Sequence, residues 1–154
     1  MLTDDDKIDL CYLMHDKKHI TLGGRVQSID NAVLYEGEEN NVSLYRGVSE
    51  KELNDILNGI ELNRYQSFSE LKDMAEKFGP YVITILPSNI KSFPLWQWAI
   101  ADLCLLKNKN PDQYISSDGY NLQILYEEER EWIIPYGTKL KLVDRDKLIF
   151  KIIL

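Results

Sequence analysis

The segment Glu129-Arg130-Glu131-Trp132-Ile133-Ile134-Pro135-Tyr136-Gly137-Thr138 sets acidic residues at the mouth of an apolar strand that ends in a Pro-x-Gly turn. Glu129 and Glu131 are two positions apart, so an extended Arg130 would direct both carboxylates to one face of the strand. Carboxylates crowded against apolar residues resist desolvation, which is typical of functional sites. An edge-strand charge cluster that discourages aggregation explains the pattern equally well. The rest of the chain must decide between these interpretations.

The composition predicts one globular domain. The chain has 154 residues, 44% of them hydrophobic, and a net charge of −7. The acidic excess argues against nucleic-acid binding, which relies on clustered Lys and Arg. No apolar run is long enough to cross a membrane, and the acidic start of the chain is unlike a signal peptide, so we expect a cytoplasmic protein. Cys11 and Cys104 lie in apolar helical contexts, which favours buried thiols over a disulfide.

Residues 1–41 form the expected helical N-terminal part. Thr3 and the acidic residues after it predict the start of a helix that ends near 17–19. Helical spacing of apolar residues predicts a second helix over 26–34, followed by a polar loop over 38–41.

Residues 42–154 form the expected core, which begins with a strand over 42–48. In this strand Arg46 falls on the same face as Leu44 and Val48, where an unpaired guanidinium is costly to bury. Its partner is expected to be Glu129 or Glu131, as a structural ion pair, or the phosphate or carboxylate of a ligand.

The remaining pattern alternates helices and strands before it ends in strands. It predicts helices capped by Ser49 and Ser69, a helix starting at Pro94, and strands at 65–67, 81–86, 132–134, 139–143 and 148–153. Because helices come early and strands late, the fold class is α+β, a single domain with mainly antiparallel strand pairing.

Two polar motifs have competing interpretations. Ser69 suits a helix cap, which leaves the Ser67 hydroxyl to orient another group, for example by donating a hydrogen bond to a carboxylate. His15 and His19 have the i, i+4 spacing of zinc ligands, but the chain lacks the accompanying glutamate and a clear third ligand. A solvated helix end explains them better, and we expect no metal.

Three motifs together resemble the ADP-ribosyltransferase family of the Arg-Ser-Glu class. They are Leu44-Tyr45-Arg46-Gly47, Tyr65-Gln66-Ser67-Phe68-Ser69 and the Glu129-to-Thr138 segment. The similarity covers roughly residues 42–143, and the order of the motifs is more specific than any one of them. It implies a single domain with N-terminal helices and two mainly antiparallel sheets that form an NAD cleft.

The resemblance also implies a role for each matching residue. Glu131 would be the catalytic carboxylate, Ser67 would hold it, and Glu129 would position or deprotonate the acceptor. Arg46 would bind the phosphate and ribose region of NAD, with Gly47 backbone groups near the nicotinamide amide. The other members of the expected cofactor-binding set are Tyr45, Phe68 and Ser69. Phe68 stands where the family usually has threonine, and residues 95–120 are an insertion that does not align.

The function implied by the resemblance is mono-ADP-ribosyl transfer from NAD to a protein side chain. A Glu at position 129 goes with arginine as the target in this family, and a compact, unsecreted member resembles phage-encoded enzymes that modify host proteins. An NAD glycohydrolase and a catalytically silent binding protein of the same fold are the alternatives. The partners expected are therefore NAD and a host protein, with no membrane, and the chain is expected to be a monomer.

Overall fold

The computed structural model describes residues 2–15, 25–59, 65–95 and 130–153. The helices in these ranges are α1 (Asp4–His15), α2 (Gln27–Glu36), α3 (Glu50–Leu57) and α4 (Lys72–Ala75). The strands are β1 (Glu38–Asn40), β2 (Leu44–Val48), β3 (Gln66–Ser69), β4 (Tyr81–Ile85), β5 (Ser88–Ser92), β6 (Glu131–Ile134), β7 (Lys139–Asp144) and β8 (Ile149–Ile153).

The strands form two sheets. A six-stranded sheet has the order β6-β3-β2-β4-β8-β7, and a two-stranded ribbon pairs β1 with β5. Every neighbouring pair is antiparallel except β4 and β8, which run parallel. The prediction of an α+β domain with two mainly antiparallel sheets is confirmed.

The main core of the described residues lies on one face of the six-stranded sheet. Helix α3 covers this face, with Leu53 and Ile56 in the same buried cluster as residues from five of the strands. The strand members of the cluster are Leu44, Val48, Phe68, Ile83, Ile85, Trp132, Ile134 and Phe150. Alternation along the strands therefore leaves the opposite face for the intervening residues.

The helix starts follow from polar side chains. Thr3 and Asp6 cap α1 reciprocally, because each side chain accepts a hydrogen bond from the backbone N–H of the other, at 3.1 and 3.2 Å. Ser49 Oγ likewise accepts from the Glu52 N–H at 3.2 Å at the start of α3. The caps predicted at Thr3 and Ser49 are confirmed.

Several predicted boundaries were wrong. Residues 38–40 form β1 rather than a loop, and β5 was not predicted. Both strands are mostly polar, so they lack the apolar pattern that indicates a strand, and they pair with each other in a two-stranded ribbon. Ser69 belongs to β3 and accepts a hydrogen bond from the Leu71 N–H at 3.0 Å, whereas Leu71 itself is the N-cap of the short α4. The predicted helix from Pro94 lies almost wholly outside the described residues.

Candidate active site

Glu131 is a buried carboxylate at the first position of β6. Its side chain accepts a hydrogen bond from Ser67 Oγ on β3, and the residue is only 3% exposed. The antiparallel register pairs Ser69 with Glu131 and Ser67 with Ile133. Because Ser67 and Ser69 are two apart on one strand, both serines share a face of the sheet with Glu131. The hydrogen bond from Ser67 to a carboxylate that the sequence suggested is present.

Strand β6 is held along both edges at this point. On one side it pairs with β3, and on the other Phe93 and Ile133 exchange two backbone hydrogen bonds of 2.9 Å each. Phe93 and Ile133 are buried, so the strand that carries Glu131 is fixed two residues after the carboxylate.

Arg46 is paired with a carboxylate that the sequence analysis did not consider. Its Nε donates to Glu52 Oε1 at 3.1 Å, and the two side chains are 16% and 14% exposed. The expected ion pair with Glu131 is wrong, because strand alternation sends Arg46 to the α3 side of the sheet and Glu131 to the other side. Glu129, the other expected partner, lies outside the described residues.

Ser67 joins Arg46 to Glu131. Its carbonyl oxygen accepts from Arg46 Nη1 at 2.9 Å, while its hydroxyl donates to Glu131. The paired register of β2 and β3 is limited to Tyr45 and Ser69, so the Arg46 side chain bonds β3 next to the place where this ladder ends. The structure thus brings Arg46, Ser67 and Glu131 into one chain of hydrogen bonds.

The residue before Glu131 is not extended, contrary to the premise that put Glu129 and Glu131 on one face. Arg130 has a φ of 45°, in the left-handed region, and β6 begins only after it. This conformation is uncommon for a residue other than glycine. The shared face of the two glutamates therefore loses its basis, and Glu131 starts its strand from a turn.

The other expected cofactor-binding residues fall into two groups. Tyr45, Gly47 and Ser69 alternate onto the Glu131 side of the sheet, whereas Phe68 is buried in the main core, where packing explains it. Gly47 also has a packing reason, because a Cβ there would lie 2.1 Å from the carbonyl oxygen of Ala75.

Two acidic residues next to the motifs were missed. Glu52 was not predicted as the partner of Arg46, although its place six residues later, in the first turn of α3, lets it fold back onto the strand. Glu70 directly follows the serine motif and contacts both neighbours of Glu131. Only its position in the sequence could have pointed to it.

Two further observations concern the described residues alone. Among them no group of three or more His, Cys, Asp or Glu side chains is arranged to hold a metal ion. No helix within the described ranges is both long and apolar enough to cross a membrane.

Comparison with solved structures identifies the fold. Plx2a, an ADP-ribosyltransferase toxin from Paenibacillus larvae, has a TM-score of 0.58 and 12% identity, with 99% of this chain and 88% of the toxin covered. Exoenzyme S from Pseudomonas aeruginosa, solved with human 14-3-3 protein beta and carba-NAD, has a TM-score of 0.55 and 12% identity over 97% of this chain and 73% of its own. The C3 exoenzyme of Clostridium limosum has a TM-score of 0.53 and 14% identity over 98% and 85%.

These similarities establish that the chain has the fold of ADP-ribosyltransferases, as the three motifs implied. No protein-family model matches the sequence, and no curated protein matches it. The likeness therefore lies in the arrangement of the elements and not in overall sequence.

Proposed function

We propose that the protein is a mono-ADP-ribosyltransferase that uses NAD as co-substrate and a protein side chain, most specifically arginine, as acceptor. The observation that carries the proposal is the buried Glu131 carboxylate held by the Ser67 hydroxyl, in a chain with an ADP-ribosyltransferase fold. Burying a carboxylate costs several kcal/mol unless it is hydrogen-bonded, and the Ser67 hydroxyl supplies such a bond to Glu131.

Glu131 is proposed to stabilise the transition state of nicotinamide release. As the bond between the ribose C1′ and the nicotinamide nitrogen breaks, nicotinamide leaves with the bonding electrons and positive charge grows on the ribose. A fixed anion beside that charge lowers the barrier, more so at a site shielded from water. The hydrogen bond from Ser67 orients the carboxylate before the substrate arrives, so little reorganisation is needed during the reaction.

Arg46 is proposed to contact the phosphate and ribose region of NAD and to hold the serine motif in place. Its bond to the Ser67 carbonyl supports the second part directly, and the same serine links the guanidinium to Glu131. Glu52 keeps the guanidinium oriented through a charge-assisted hydrogen bond. Gly47 is proposed to present backbone groups to the nicotinamide amide, with Tyr45 and Ser69 on the same side of the sheet.

Glu129 is proposed to select the acceptor. A carboxylate near the ribose cation can hold an arginine side chain in place, take up its proton as the nitrogen bonds to C1′, and offset its charge. Exoenzyme S was solved in complex with human 14-3-3 protein beta and bound to carba-NAD. By analogy, we propose that the substrate is a protein of the host cell that a phage infects. We propose that a monomeric enzyme modifies it in the cytoplasm.

The test is transfer of label from NAD to protein. The purified chain is incubated with adenylate-labelled NAD and a cell lysate, and labelled proteins are separated and their modified residues identified by mass spectrometry. We expect discrete labelled bands carrying ADP-ribose on arginine. Substitution of Glu131 by Gln keeps the shape and the acceptor oxygen for Ser67 but removes the charge, so labelling should disappear.

The exposed Glu76 provides the matched control, because Glu76→Gln makes the same chemical change on the surface. Free ADP-ribose without labelled bands indicates the glycohydrolase, and absence of nicotinamide release indicates a silent binding protein. Labelling that survives Glu131→Gln contradicts the proposal.

A further inference from the structure

We propose that Glu70 is a positioning residue that sets the place of Glu131 by holding the residues on either side of it. This inference rests on the proposed function, because it concerns the carboxylate that we assign to the reaction. Glu70 lies at the end of β3, directly after the serine motif, and does not belong to the three motifs that revealed the site.

Three contacts join Glu70 to the neighbours of Glu131. Its backbone N–H donates to the Arg130 carbonyl at 3.2 Å. One oxygen of its carboxylate accepts from the indole Nε1 of Trp132 at 2.9 Å. The other oxygen lies 3.6 Å from Arg130 Nη1, in an ion pair. The two carboxylate oxygens thus bind the residue before Glu131 and the residue after it.

Glu131 needs such support because of where it stands. It is the first residue of β6, and strand ends fray more readily than strand centres. The residue before it has the unfavourable left-handed backbone, a conformation that persists only where surrounding contacts enforce it. Glu70 supplies those contacts to Arg130 through both its backbone and its side chain.

The contacts of Glu70 with Arg130 and Trp132 form a clamp around Glu131, and Trp132 is its rigid end. Its ring belongs to the main core, on the face opposite Glu131, so its indole N–H is a fixed point. Glu70 links this fixed point to the strained turn. Strand β3 therefore holds Glu131 twice, with Ser67 on the carboxylate and Glu70 on the backbone that carries it. A displacement of about 1 Å at a reacting group can cost about a hundredfold in rate.

The experiment compares Glu70→Ala, Glu70→Gln and the exposed control Glu76→Ala by nicotinamide release at a temperature well below the unfolding transition. We expect Glu70→Ala to lower kcat by at least about tenfold while the KM for NAD changes by less than about twofold. Glu70→Gln should fall between Glu70→Ala and the wild type, because its amide oxygen still accepts from Trp132 but its NH2 group does not pair with Arg130. Glu76→Ala should match the wild type.

A double-mutant cycle separates positioning from general stabilisation. Trp132→Phe keeps an aromatic ring in the core, smaller than indole, and removes the N–H that Glu70 accepts from, so its effect on kcat should be smaller when Glu70 is already Ala. Additive effects in the cycle, or a kcat for Glu70→Ala equal to that of the wild type, overturn the proposal.

The backbone amide resonance of Glu131 in an NMR spectrum tests whether Glu70 positions Glu131 without relying on enzymatic activity. A wild type that releases no nicotinamide would refute the proposed function and leave this test of Glu70 intact. Glu70→Ala should shift or broaden that resonance and Glu76→Ala should leave it in place. An unchanged resonance in Glu70→Ala contradicts the clamp.

Discussion

Two arginine–carboxylate pairs of nearly equal length differ in their surroundings. Arg46 on β2 and Glu52 on α3 lie 3.1 Å apart, with side chains 16% and 14% exposed. Arg25 and Asp30 lie 3.0 Å apart at the start of α2, with side chains 66% and 23% exposed. The first pair touches the serine motif, and the second packs over the ring of Tyr136 at 5.2 Å.

The comparison shows that the distance between the charged groups does not by itself determine how much an ion pair contributes to stability. A pair removed from water depends on both partners, since loss of one leaves a buried charge without compensation. The charges of an exposed pair are solvated both with and without their partner, and salt screens the attraction between them. The buried pair is therefore able to fix a site, whereas the exposed pair only adds to the attachment of a helix.

Replacing Arg46 should have the largest effect on stability. Arg46→Met should lower the free energy of unfolding by about 3 kcal/mol, because Glu52 and the Ser67 carbonyl both lose their donor. Chemical denaturation measures the change. Arg46→Met with Glu52→Leu should recover part of the loss, since no unpaired charge then remains. If Arg46→Met alone is as stable as the wild type, burial does not make this ion pair important for stability.

Tyr65 is buried beside the Arg25–Asp30 pair, and loss of its hydroxyl should have an intermediate effect on stability. Its hydroxyl donates to Asp30 at 2.6 Å and accepts from the Val26 N–H at 2.9 Å, and its ring meets Tyr136 edge to face. Tyr65→Phe should lower the free energy of unfolding by about 1 to 2 kcal/mol. Denaturation of this variant beside Tyr136→Phe, which keeps the ring contact, isolates the hydroxyl.

The same hydroxyl predicts a dependence on pH. Burial, and then the hydrogen bond to Asp30, raises the pKa of Tyr65 above its ordinary value. The unfolded chain therefore loses this proton first, so the stability that Tyr65 provides is complete below pH about 10 and declines above it. The difference in unfolding free energy between the wild type and Tyr65→Phe should shrink in alkaline solution. A difference that grows above pH 10 contradicts the burial of a neutral tyrosine.

Arg25→Met should have the smallest effect, as the matched partner of Arg46→Met. The same side chain is introduced at an exposed position, so the unfolding free energy should stay close to that of the wild type. Addition of salt should reduce even this small difference, while the effect of Arg46→Met should persist. Equal losses for the two variants would erase the distinction between the pairs.

Much of the fold was predictable from the sequence. Strands β2, β4, β6, β7 and β8 follow from alternating or β-branched apolar residues, and the capped helices α1 and α3 from their polar first turns. The ribbon of β1 and β5 was not predictable in this way. Its residues are mostly polar, and what stabilises it is pairing between segments about fifty positions apart in the chain.

The site was predictable in its members and not in its geometry. Arg46, Ser67 and Glu131 do meet, but the partner of Arg46 is set by how α3 folds back, which no local pattern encodes. Arg130 has a left-handed backbone, and no glycine stands at this position to indicate such a conformation from the sequence. Glu70, which lies sixty residues earlier in the sequence, contacts Arg130 through its backbone N–H and its carboxylate. Such tertiary contacts leave no local signal in the sequence.

Release of nicotinamide from NAD by the wild type, Glu131→Gln and Glu76→Gln tests the role of the buried carboxylate. All three proteins should fold, as thermal unfolding will show. The wild type and Glu76→Gln should release nicotinamide at the same rate, and Glu131→Gln should be slower by about a hundredfold or more, the usual cost of removing a charge that stabilises a transition state. Equal rates for Glu131→Gln and the wild type would contradict the assignment of Glu131.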